Sequence, residues 1–373
     1  MNPYPASWIT RRRFIRNSSL ATGVLALGSR LWGADSPAAP PTKKLGVALV
    51  GLGSYATGLL QPALAETKLC QLMGVVTGSP AKGAAWAKKF NFPAKNVYGY
   101  DTMDRLVDNP DIDIVYVVTP NALHAEYTIK AAKAGKHVIS EKPMATSVAD
   151  CDAMIAACKA AKRSLSIGYR LHFDPYHQKM MSLAADPNFG PFTKMSGENG
   201  FTLGGDQWRI HHPLSGGGPL MDMGIYVVNE ACMATNANPI AVTARERPKL
   251  HPEIFRDVEE ALDWTMEFPG GATAVCQTSY VQNYGHFHAE GAKGWIDFPT
   301  AFGYGGLQLN TSAGPVSFPP HRQQTLQLDG IAQSILDKKD SIVPGELGRR
   351  DMVIIEGIYA AAASGKRVEL KYS

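Results

Sequence analysis

One short segment restricts the fold of this chain more than any other. A mainly apolar run from Lys44 to Val50, typical of a buried parallel strand, leads directly into the turn Gly51-Leu52-Gly53-Ser54-Tyr55-Ala56 and then a helical stretch. Gly51 permits the tight turn, Gly53 lets the backbone approach a pyrophosphate, and Ala56 allows close helix packing. A helix N-terminus offers free N–H groups and the positive end of its dipole. We therefore predict that Gly51, Gly53, Ser54, Tyr55 and Ala56 bind a dinucleotide.

Further apolar runs repeat the buried-strand pattern, with helical stretches between them: Leu69 to Val76, Ile112 to Val118 and Lys136 to Ser140. This alternation predicts an α/β Rossmann domain with a doubly wound parallel sheet, which we place at residues 42–165. The 373 residues leave room for a second domain at 166–373. There, Asp263 to Phe268 and Ala272 to Tyr280 are strand-like on either side of turn glycines, which predicts antiparallel pairing.

The end of the second strand indicates which dinucleotide is bound. An NAD site usually carries an acidic residue there for the ribose hydroxyls, but the sequence has none between Thr67 and Tyr100. The strand ends instead in Thr77-Gly78-Ser79, followed by Lys82. Hydroxyls and an ammonium suit a 2′-phosphate, which predicts NADP as the cofactor. The alternative is that Lys82 is an ordinary solvated helix residue.

Two later strands also end in polar residues, and ligands of open α/β sheets bind at these carboxyl ends. One strand ends in Thr119-Pro120-Asn121 with His124 close behind, and the next in Glu141-Lys142-Pro143. We expect Thr119, Asn121, His124, Glu141 and Lys142 to face the cofactor, with Lys142 beside the nicotinamide. Two alternatives stay open: Lys142 as a surface ion-pair partner of Glu141, and His124 as a helix residue satisfied within the protein.

Residues 1–41 predict an export signal and a linker. The segment Thr10-Arg11-Arg12-Arg13-Phe14-Ile15-Arg16 resembles a bacterial twin-arginine signal, and the apolar run from Leu20 to Leu27 is too short to span a bilayer. We therefore expect a periplasmic protein. The alternatives are an ordinary secretory signal and a disordered basic tail, and the cleavage position stays open.

Charge, cysteines and histidines exclude other classes of function. The formal net charge is +4, but five arginines lie in the first 34 residues, so the remainder has no basic excess suited to nucleic acid. The five cysteines form no CxxC pair, and Cys151 and Cys158 are expected to be packed thiols. His286 and His288 lack a third ligand at a recognisable spacing, so we predict no metal site.

Two motifs in the second half carry a resemblance to a known family. They are Gly168-Tyr169-Arg170-Leu171-His172-Phe173-Asp174-Pro175 and Gly216-Gly217-Gly218-Pro219-Leu220-Met221-Asp222-Met223-Gly224-Ile225-Tyr226. With the dinucleotide turn and Glu141-Lys142-Pro143, the chain resembles the Gfo/Idh/MocA oxidoreductases, and within them the glucose-fructose oxidoreductase group. The resemblance implies an α+β C-terminal domain with a large, open, mostly antiparallel sheet. One face of that sheet would carry the substrate cleft, and the other would join subunits into a homodimer or homotetramer.

The resemblance also implies roles for individual residues. Lys142 would lie beside the nicotinamide and the reacting carbinol, Tyr226 would be the acid/base, and Asp222 would orient the sugar hydroxyls or hold Lys142 in place. The expected sugar pocket consists of Tyr169, Arg170, Trp208 and Arg209, with Arg170 also near the cofactor. Packing or salt bridges are the open alternatives for these four.

The implied reaction is the oxidation of an aldose at C1 to its lactone and the reduction of a second sugar to an alditol, with NADP retained between the two steps. A twin-arginine signal fits this, because that route exports folded proteins and so permits cofactor loading before export. Two alternatives remain. One is a conventional NADP-dependent sugar dehydrogenase or reductase with an exchangeable cofactor, and the other is a non-catalytic sensor of sugar and dinucleotide.

Overall fold

The computed structural model describes residues 43–372, so the predicted export signal lies outside the described residues. The first half of this range forms a six-stranded parallel sheet with the strand order β3-β2-β1-β4-β5-β6 once its strands are numbered along the chain. Those strands are β1 Leu45–Val50, β2 Cys70–Val76, β3 Val97–Tyr98, β4 Ile114–Val117, β5 His137–Ser140 and β6 Leu165–Ile167. The predicted Rossmann fold is confirmed, with its apolar strands buried as expected of a sheet covered on both faces.

Helices connect these strands, and their ends follow local sequence signals. The helices are α1 Gln61–Glu66, α2 Pro80–Phe90, α3 His124–Lys133 and α4 Val148–Ala160. A π-helical turn, Ala56–Leu60, precedes α1. Ser79 caps α2 by accepting from the backbone N–H of Lys82, with Pro80 in the first helical position. The cap fixes the start of α2 directly beside the end of β2.

The second half forms an eight-stranded sheet in which all neighbouring strands of the described residues are antiparallel except one pair. The strands are β7 Lys194–Gly200, β8 Ala241–Glu246, β9 Ala261–Glu267, β10 Thr273–Ser279, β11 Phe287–Glu290, β12 Trp295–Phe298, β13 Asn310–Thr311 and β14 Val368–Glu369. Their order is β13-β12-β11-β7-β10-β9-β8-β14, and the parallel pair is β7 with β10. The expected large, mostly antiparallel sheet is confirmed.

Five helices belong to this second half. They are α5 Pro175–Ala185, α6 His212–Ser215, α7 Ile225–Thr235, α8 Gln323–Leu336 and α9 Gly345–Ser364. Helix α7 packs on one face of the sheet, where a side chain at Gly197 of β7 would collide with Val227. The other face is open: Val275 of β10 is 60% exposed there, and a groove beside it is lined by polar residues such as Arg245 and Asp263.

The C-terminal helices return to the Rossmann domain. Arg322 pairs with Glu66 at 3.0 Å, and the carboxylate of Asp329 in α8 accepts from the backbone N–H groups of Lys68 and Leu69. These contacts fix the second half against the start of β2.

Residues 43–372 contain no helix long and apolar enough to cross a membrane. In the same range, no three His, Cys, Asp or Glu side chains are grouped as metal ligands. All five cysteines are free and buried.

Candidate active site

The turn after β1 has the geometry that its glycines require. Gly51 has a φ of +93°, and a Cβ at this position would lie 2.8 Å from the carbonyl oxygen of Val118, so both conformation and space demand glycine. A Cβ on Gly53 would meet no atom within 4 Å, so the space beside this backbone is open. Ala56 is fully buried under the sheet, and Ser54 is exposed. The turn therefore leaves an open approach to its backbone, as a pyrophosphate needs.

The residues predicted to contact a 2′-phosphate lie together at the end of β2. The side chain of Thr77 accepts from the backbone N–H of Ser79, and a Cβ at Gly78 would lie 3.4 Å from the ring of Tyr100. Lys82 reaches back from α2 and donates to the carbonyl oxygen of Leu52, within the dinucleotide turn. Its ammonium is therefore held beside this turn, although the side chain begins on an exposed helix.

Lys142 meets Asp222 across the two domains. The Lys142 ammonium donates to the backbone carbonyl of Asp222 at 2.6 Å and to its carboxylate at 3.2 Å, and both side chains are mostly buried. Lys142 therefore does not form a surface ion pair with Glu141. The Glu141 carboxylate instead accepts a hydrogen bond from the hydroxyl of Tyr116 at 2.5 Å.

Tyr226 completes this group from the first turn of α7. The Lys142 ammonium lies 4.6 Å from the centre of the Tyr226 ring, and the Arg170 guanidinium lies 5.0 Å from it. A π-helical turn, Leu220–Gly224, leads into α7, so Asp222 and Tyr226 both project toward Lys142. Lys142, which follows β5, is thus brought together with Asp222 and Tyr226, which lie at the start of α7, 80 or more residues later in the sequence.

A buried carboxylate, which no sequence pattern singled out, holds the loop before Asp222. Glu259 accepts from the backbone N–H of Gly218 at 2.9 Å and of Leu220 at 3.0 Å, and from the hydroxyl of Tyr359 at 2.9 Å. The loop contains Gly217, where a Cβ would collide with Tyr359. Glu259 therefore positions Asp222 and Tyr226 through their backbone.

Arg209 joins the same site through Asp222. Its Nε lies 2.8 Å from the second carboxylate oxygen of Asp222, to which Tyr280 also donates at 3.3 Å. The Arg209 guanidinium packs over the ring of Trp208 at 4.7 Å. The predicted pair Trp208 and Arg209 thus lies beside the Lys142–Asp222 contact.

The charges of the site follow from these contacts. Burial opposes the charged form of both Lys142 and Asp222. In each case the effect of burial on the pKa is outweighed by the charges of neighbouring groups. The pKa of Lys142 is raised because Tyr226 and the carboxylates of Asp222 and Glu141 face it. The pKa of Asp222 is lowered because Lys142 and Arg209 face it. Lys142 is therefore a cation and Asp222 an anion near neutral pH.

Three predicted cofactor residues brace the strand ends. The ring of His124 lies 2.8 Å from the carbonyl oxygen of Pro143 and 2.9 Å from that of Thr119, which joins the loops after β4 and β5. Burial lowers the pKa of His124. Asn121 donates to the carbonyl oxygen of Ser215 at 2.8 Å, across the two domains. The alternative of a histidine satisfied within the protein thus describes the position of His124 better than contact with the cofactor.

Two of the predicted sugar-pocket residues point inward. Tyr169 is buried, and its hydroxyl faces Asp351 of α9, so the structure does not bring it to the Lys142 group. Arg170 is 1% exposed, and its guanidinium donates to the carbonyl oxygens of Phe302 and Gly303. The guanidinium also lies 5.0 Å from the centre of the Tyr226 ring, so Arg170 borders the site at Tyr226.

Sequence reasoning missed one aromatic residue here. The ring of Tyr304 lies 4.3 Å from the Arg170 guanidinium and 6.2 Å from the ring of Tyr55. An aromatic residue flanked by Gly303, Gly305 and Gly306 was an available signal.

A dinucleotide turn and a lysine–aspartate–tyrosine group at the same edge of a parallel sheet define a dinucleotide-dependent oxidoreductase. Comparisons with known proteins identify the family within this class. Residues 45–169 match the model of an oxidoreductase family with an NAD-binding Rossmann fold, and residues 177–297 match the GFO/IDH/MocA C-terminal domain. The chain belongs to the Gfo/Idh/MocA oxidoreductase family.

Relatives with known structures or activities cover nearly the whole chain. A crystal structure of aldose-aldose oxidoreductase from Caulobacter crescentus, complexed with glycerol, is 42% identical, with a TM-score of 0.86 over 88% of this chain and all of that one. D-xylose 1-dehydrogenase [NADP(+)] of Haloarcula marismortui is 28% identical over 87% of this chain and 92% of its own. 1,5-anhydro-D-fructose reductase of Ensifer adhaerens is 26% identical over 81% and 91%.

Proposed function

We propose that this protein is an NADP-dependent sugar oxidoreductase that retains its cofactor. It would oxidise an aldose at C1 to the lactone and reduce a second sugar to an alditol. The observation that carries the proposal is the meeting of Lys142, Asp222 and Tyr226 beside the dinucleotide turn. The similarity to an aldose-aldose oxidoreductase supports two sugars as substrates.

The residues of the turn and of the β2 end fit NADP. The open side of Gly53 admits the pyrophosphate, and the hydroxyls of Thr77 and Ser79 with the ammonium of Lys82 provide donors for a 2′-phosphate. The sequence between Thr67 and Tyr100 contains no carboxylate that would repel that phosphate.

When bound, NADP supplies a nicotinamide that accepts a hydride from one carbinol carbon and returns it to a second carbonyl carbon. Tyr226 takes the proton of the aldose C1 hydroxyl as the lactone forms, and gives a proton to the alkoxide oxygen as the second sugar is reduced. The cationic Lys142 stabilises the negative charge that develops on the tyrosine and sugar oxygens. Asp222 holds Lys142 and, with Arg209, presents hydrogen-bonding groups to the sugar hydroxyls.

A conventional NADP-dependent sugar dehydrogenase with an exchangeable cofactor is the second candidate. The similarity to D-xylose 1-dehydrogenase [NADP(+)] over 87% of the chain favours it. Both candidates use the same acid/base group, and they differ only in how fast the dinucleotide leaves.

The experiment that separates them follows the near-ultraviolet absorbance of reduced nicotinamide in extensively dialysed protein, with no cofactor supplied. An absorbance rise on adding glucose, reversed by a second sugar, supports the retained-cofactor cycle. A rise that needs added NADP supports the conventional dehydrogenase. No rise under either condition, with a panel of aldoses, contradicts both.

We also propose that the protein is exported to the periplasm by the twin-arginine route, on the strength of Arg11-Arg12-Arg13 and the short apolar run that follows. Replacing all three arginines by lysine is expected to keep the protein in the cytoplasmic fraction, and unchanged periplasmic recovery would contradict the proposal.

We propose further that the open face of the second sheet joins two copies. Its exposed Val275 and polar groove support this. Val275→Asp is expected to lower the mass measured by light scattering to that of a monomer.

A further inference from the structure

A glycine-rich loop after β12 lies against the active site but takes no part in the chemistry described above. The loop contains Gly303, Gly305 and Gly306, and Gly306 has a φ of +67°. Side chains at Gly305 and Gly306 would meet no atom within 4 Å, so nothing packs against these two glycines on the side where a side chain would lie. Tyr304 itself is 47% exposed, an unusually open position for a large aromatic residue beside a catalytic group. A segment of this kind can move unless something else holds it.

Arg170 holds it with two hydrogen bonds, and Gln323 adds a third to the carbonyl oxygen of Gly303 at 3.2 Å. The two terminal nitrogens of the guanidinium donate to the loop backbone, at 3.0 Å to the carbonyl oxygen of Gly303 and at 2.6 Å to that of Phe302. One of them also donates to the side chain of Gln323. The Cζ atom of the guanidinium lies over the Tyr304 ring, 4.3 Å from its centre. A planar, multidentate group of this kind fixes both the backbone and the ring, which a lysine cannot do.

The ring that Arg170 fixes reaches the Rossmann domain. Tyr304 and Tyr55 have their ring centres 6.2 Å apart with the planes inclined at 49°, which is a favourable aromatic contact. Tyr55 belongs to the turn that binds the pyrophosphate, while the ring of Tyr226 lies 5.0 Å from the same Arg170. The pair Tyr55 and Tyr304 therefore connects the phosphate-binding turn with Arg170, against which the Tyr226 ring also lies. A dinucleotide that extends from this turn toward Tyr226 would lie beside the pair.

We propose that Tyr304 and Tyr55 form an aromatic clamp across the nicotinamide half of the bound dinucleotide, with Arg170 as the positioning residue that keeps the clamp closed. This inference rests on the proposed function, because it explains how the cofactor could stay bound through two half-reactions. For the dinucleotide to leave, the Tyr304 loop must move away from Tyr55, and its three glycines permit that movement. Arg170 opposes it through the carbonyls of Phe302 and Gly303.

The test measures how fast the dinucleotide leaves, without any sugar present. Protein loaded with NADPH is mixed with a large excess of NADP, and the loss of bound-nicotinamide fluorescence is followed. Tyr304→Ala is expected to release NADPH about tenfold faster than the wild type, the size of effect of one aromatic contact. Tyr304→Phe keeps the ring and is expected to stay within about twofold. Trp295→Ala is the matched control, since Trp295 is an aromatic residue 40% exposed on β12, next to His288 and away from Tyr55.

The role of Arg170 is tested by comparing NADPH release from single and double variants. Arg170→Lys is expected to speed release as Tyr304→Ala does, and the double variant is expected to be no faster than Tyr304→Ala alone, because both changes open the same clamp. If the buried Arg170 variant does not fold, the three variants at exposed positions still decide the matter.

Release of NADPH from Tyr304→Ala at the wild-type rate would overturn the clamp, and a raised KM for sugar in that variant would then assign Tyr304 to the sugar instead. Because no sugar is present, the experiment measures the rate of NADPH release independently of the sugar reaction. A wild-type protein that binds NADPH but oxidises no aldose would contradict the proposed function while leaving the clamp result valid. A wild-type protein that binds no NADPH would overturn the clamp.

Discussion

Two buried groups of charged side chains lie one helical turn apart along α7, and they use charge in different ways. Tyr226, in the first turn of the helix, faces Lys142 and Arg170. Glu230, four residues later, faces His177, whose Nε2 lies 3.3 Å from the Glu230 carboxylate. The first group we call the catalytic cluster (Lys142, Asp222, Tyr226). The second we call the sealed cluster (Asp174, His177, Glu230).

The two clusters differ in their access to solvent and in what their carboxylates hold. In the catalytic cluster, Asp222 lies between Lys142 and the neighbouring Arg209, whose side chains are 11% and 31% exposed. In the sealed cluster all three side chains are fully buried, and Asp174 binds only internal groups: two backbone N–H groups at the start of α5 and the side chains of His177, His321 and Gln323. We infer that the catalytic cluster presents its charges to a substrate, whereas the sealed cluster joins α5, α7 and α8 into one body.

The largest effect is expected from removing the cation of the catalytic cluster. Lys142→Met should lower kcat by about 10³-fold, because a positioned acid/base system and its charge partner together contribute on that order. NADPH binding should change little, whereas the unfolding midpoint should fall, because the buried Asp222 carboxylate keeps only Arg209 as a cationic partner. The measurement is single-turnover reduction of the bound nicotinamide by an aldose.

Lys136 provides a matched control for that prediction. It is a buried lysine immediately before β5, and its ammonium donates to the carbonyl oxygen of Asn109 at 2.7 Å. Lys136→Met should lower stability and leave kcat nearly unchanged. Equal losses of kcat in the two variants would contradict a catalytic role for Lys142, because any buried lysine would then have the same effect.

Tyr226→Phe is expected to lower kcat by about 10²-fold, because it removes the proton acceptor but keeps the ring that packs on Lys142 and Arg170. The KM of the aldose should change less than kcat. Steady-state rates of the Phe variant over a range of aldose concentrations test both. Retention of more than half the wild-type kcat would assign the proton transfer to another group.

Breaking the sealed cluster should lower the stability of the protein more than its kcat. Asp174→Ala is expected to lower the free energy of unfolding by about 3 kcal/mol or more, because it strips a buried histidine and a helix cap of their acceptor. Urea unfolding of the variant measures this. Asp263→Ala, which removes a partly exposed carboxylate paired with Arg247, should cost about 1 kcal/mol or less. If Asp174→Ala abolished kcat at unchanged stability, the two clusters would be one catalytic unit, joined through Gln323 and Arg170.

The sequence predicted what local geometry imposes. The positive φ of Gly51 and the apolar run of β1 follow from their own residues, so the Rossmann domain and its dinucleotide turn could be predicted directly. The roles of Lys142, Asp222 and Tyr226 came instead from a family resemblance, because the contact between Lys142 and Asp222 joins residues 80 positions apart. No local pattern encodes a separation of that kind.

The positions of Tyr169, Arg170 and Glu259 could not be predicted either, because they too depend on contacts between residues distant in sequence. Tyr169 and Arg170 are neighbours in one motif, yet one faces Asp351 and the other faces Tyr226 and Tyr304, because a short 3₁₀ turn begins between them. Membership of a motif does not fix the direction of a side chain. Glu259 gave no signal, because its partners are backbone N–H groups about 40 residues earlier.

The smallest effect concerns how the sealed cluster responds to pH. Burial raises the pKa of Glu230 from its ordinary 4.5 to about 7, with the nearby Asp174 carboxylate acting in the same direction and His177 against it. The folded protein therefore binds this proton more tightly than the unfolded chain, so stability is lost as pH rises from about 4.5 to about 7. Between about pH 5.5 and pH 8 the loss due to Glu230 is about 2 kcal/mol, at 1.36 kcal/mol per unit.

Glu230→Gln removes this titration while keeping an acceptor oxygen beside His177. The difference in free energy of unfolding between the wild type and Glu230→Gln should therefore shift in favour of the variant as pH rises through that range, and stay constant above about pH 8. Urea unfolding of both proteins at several pH values gives the difference directly, and titrations common to both cancel. Parallel curves would show that Glu230 keeps one protonation state throughout. The sealed cluster would then differ from the catalytic cluster only in its access to solvent.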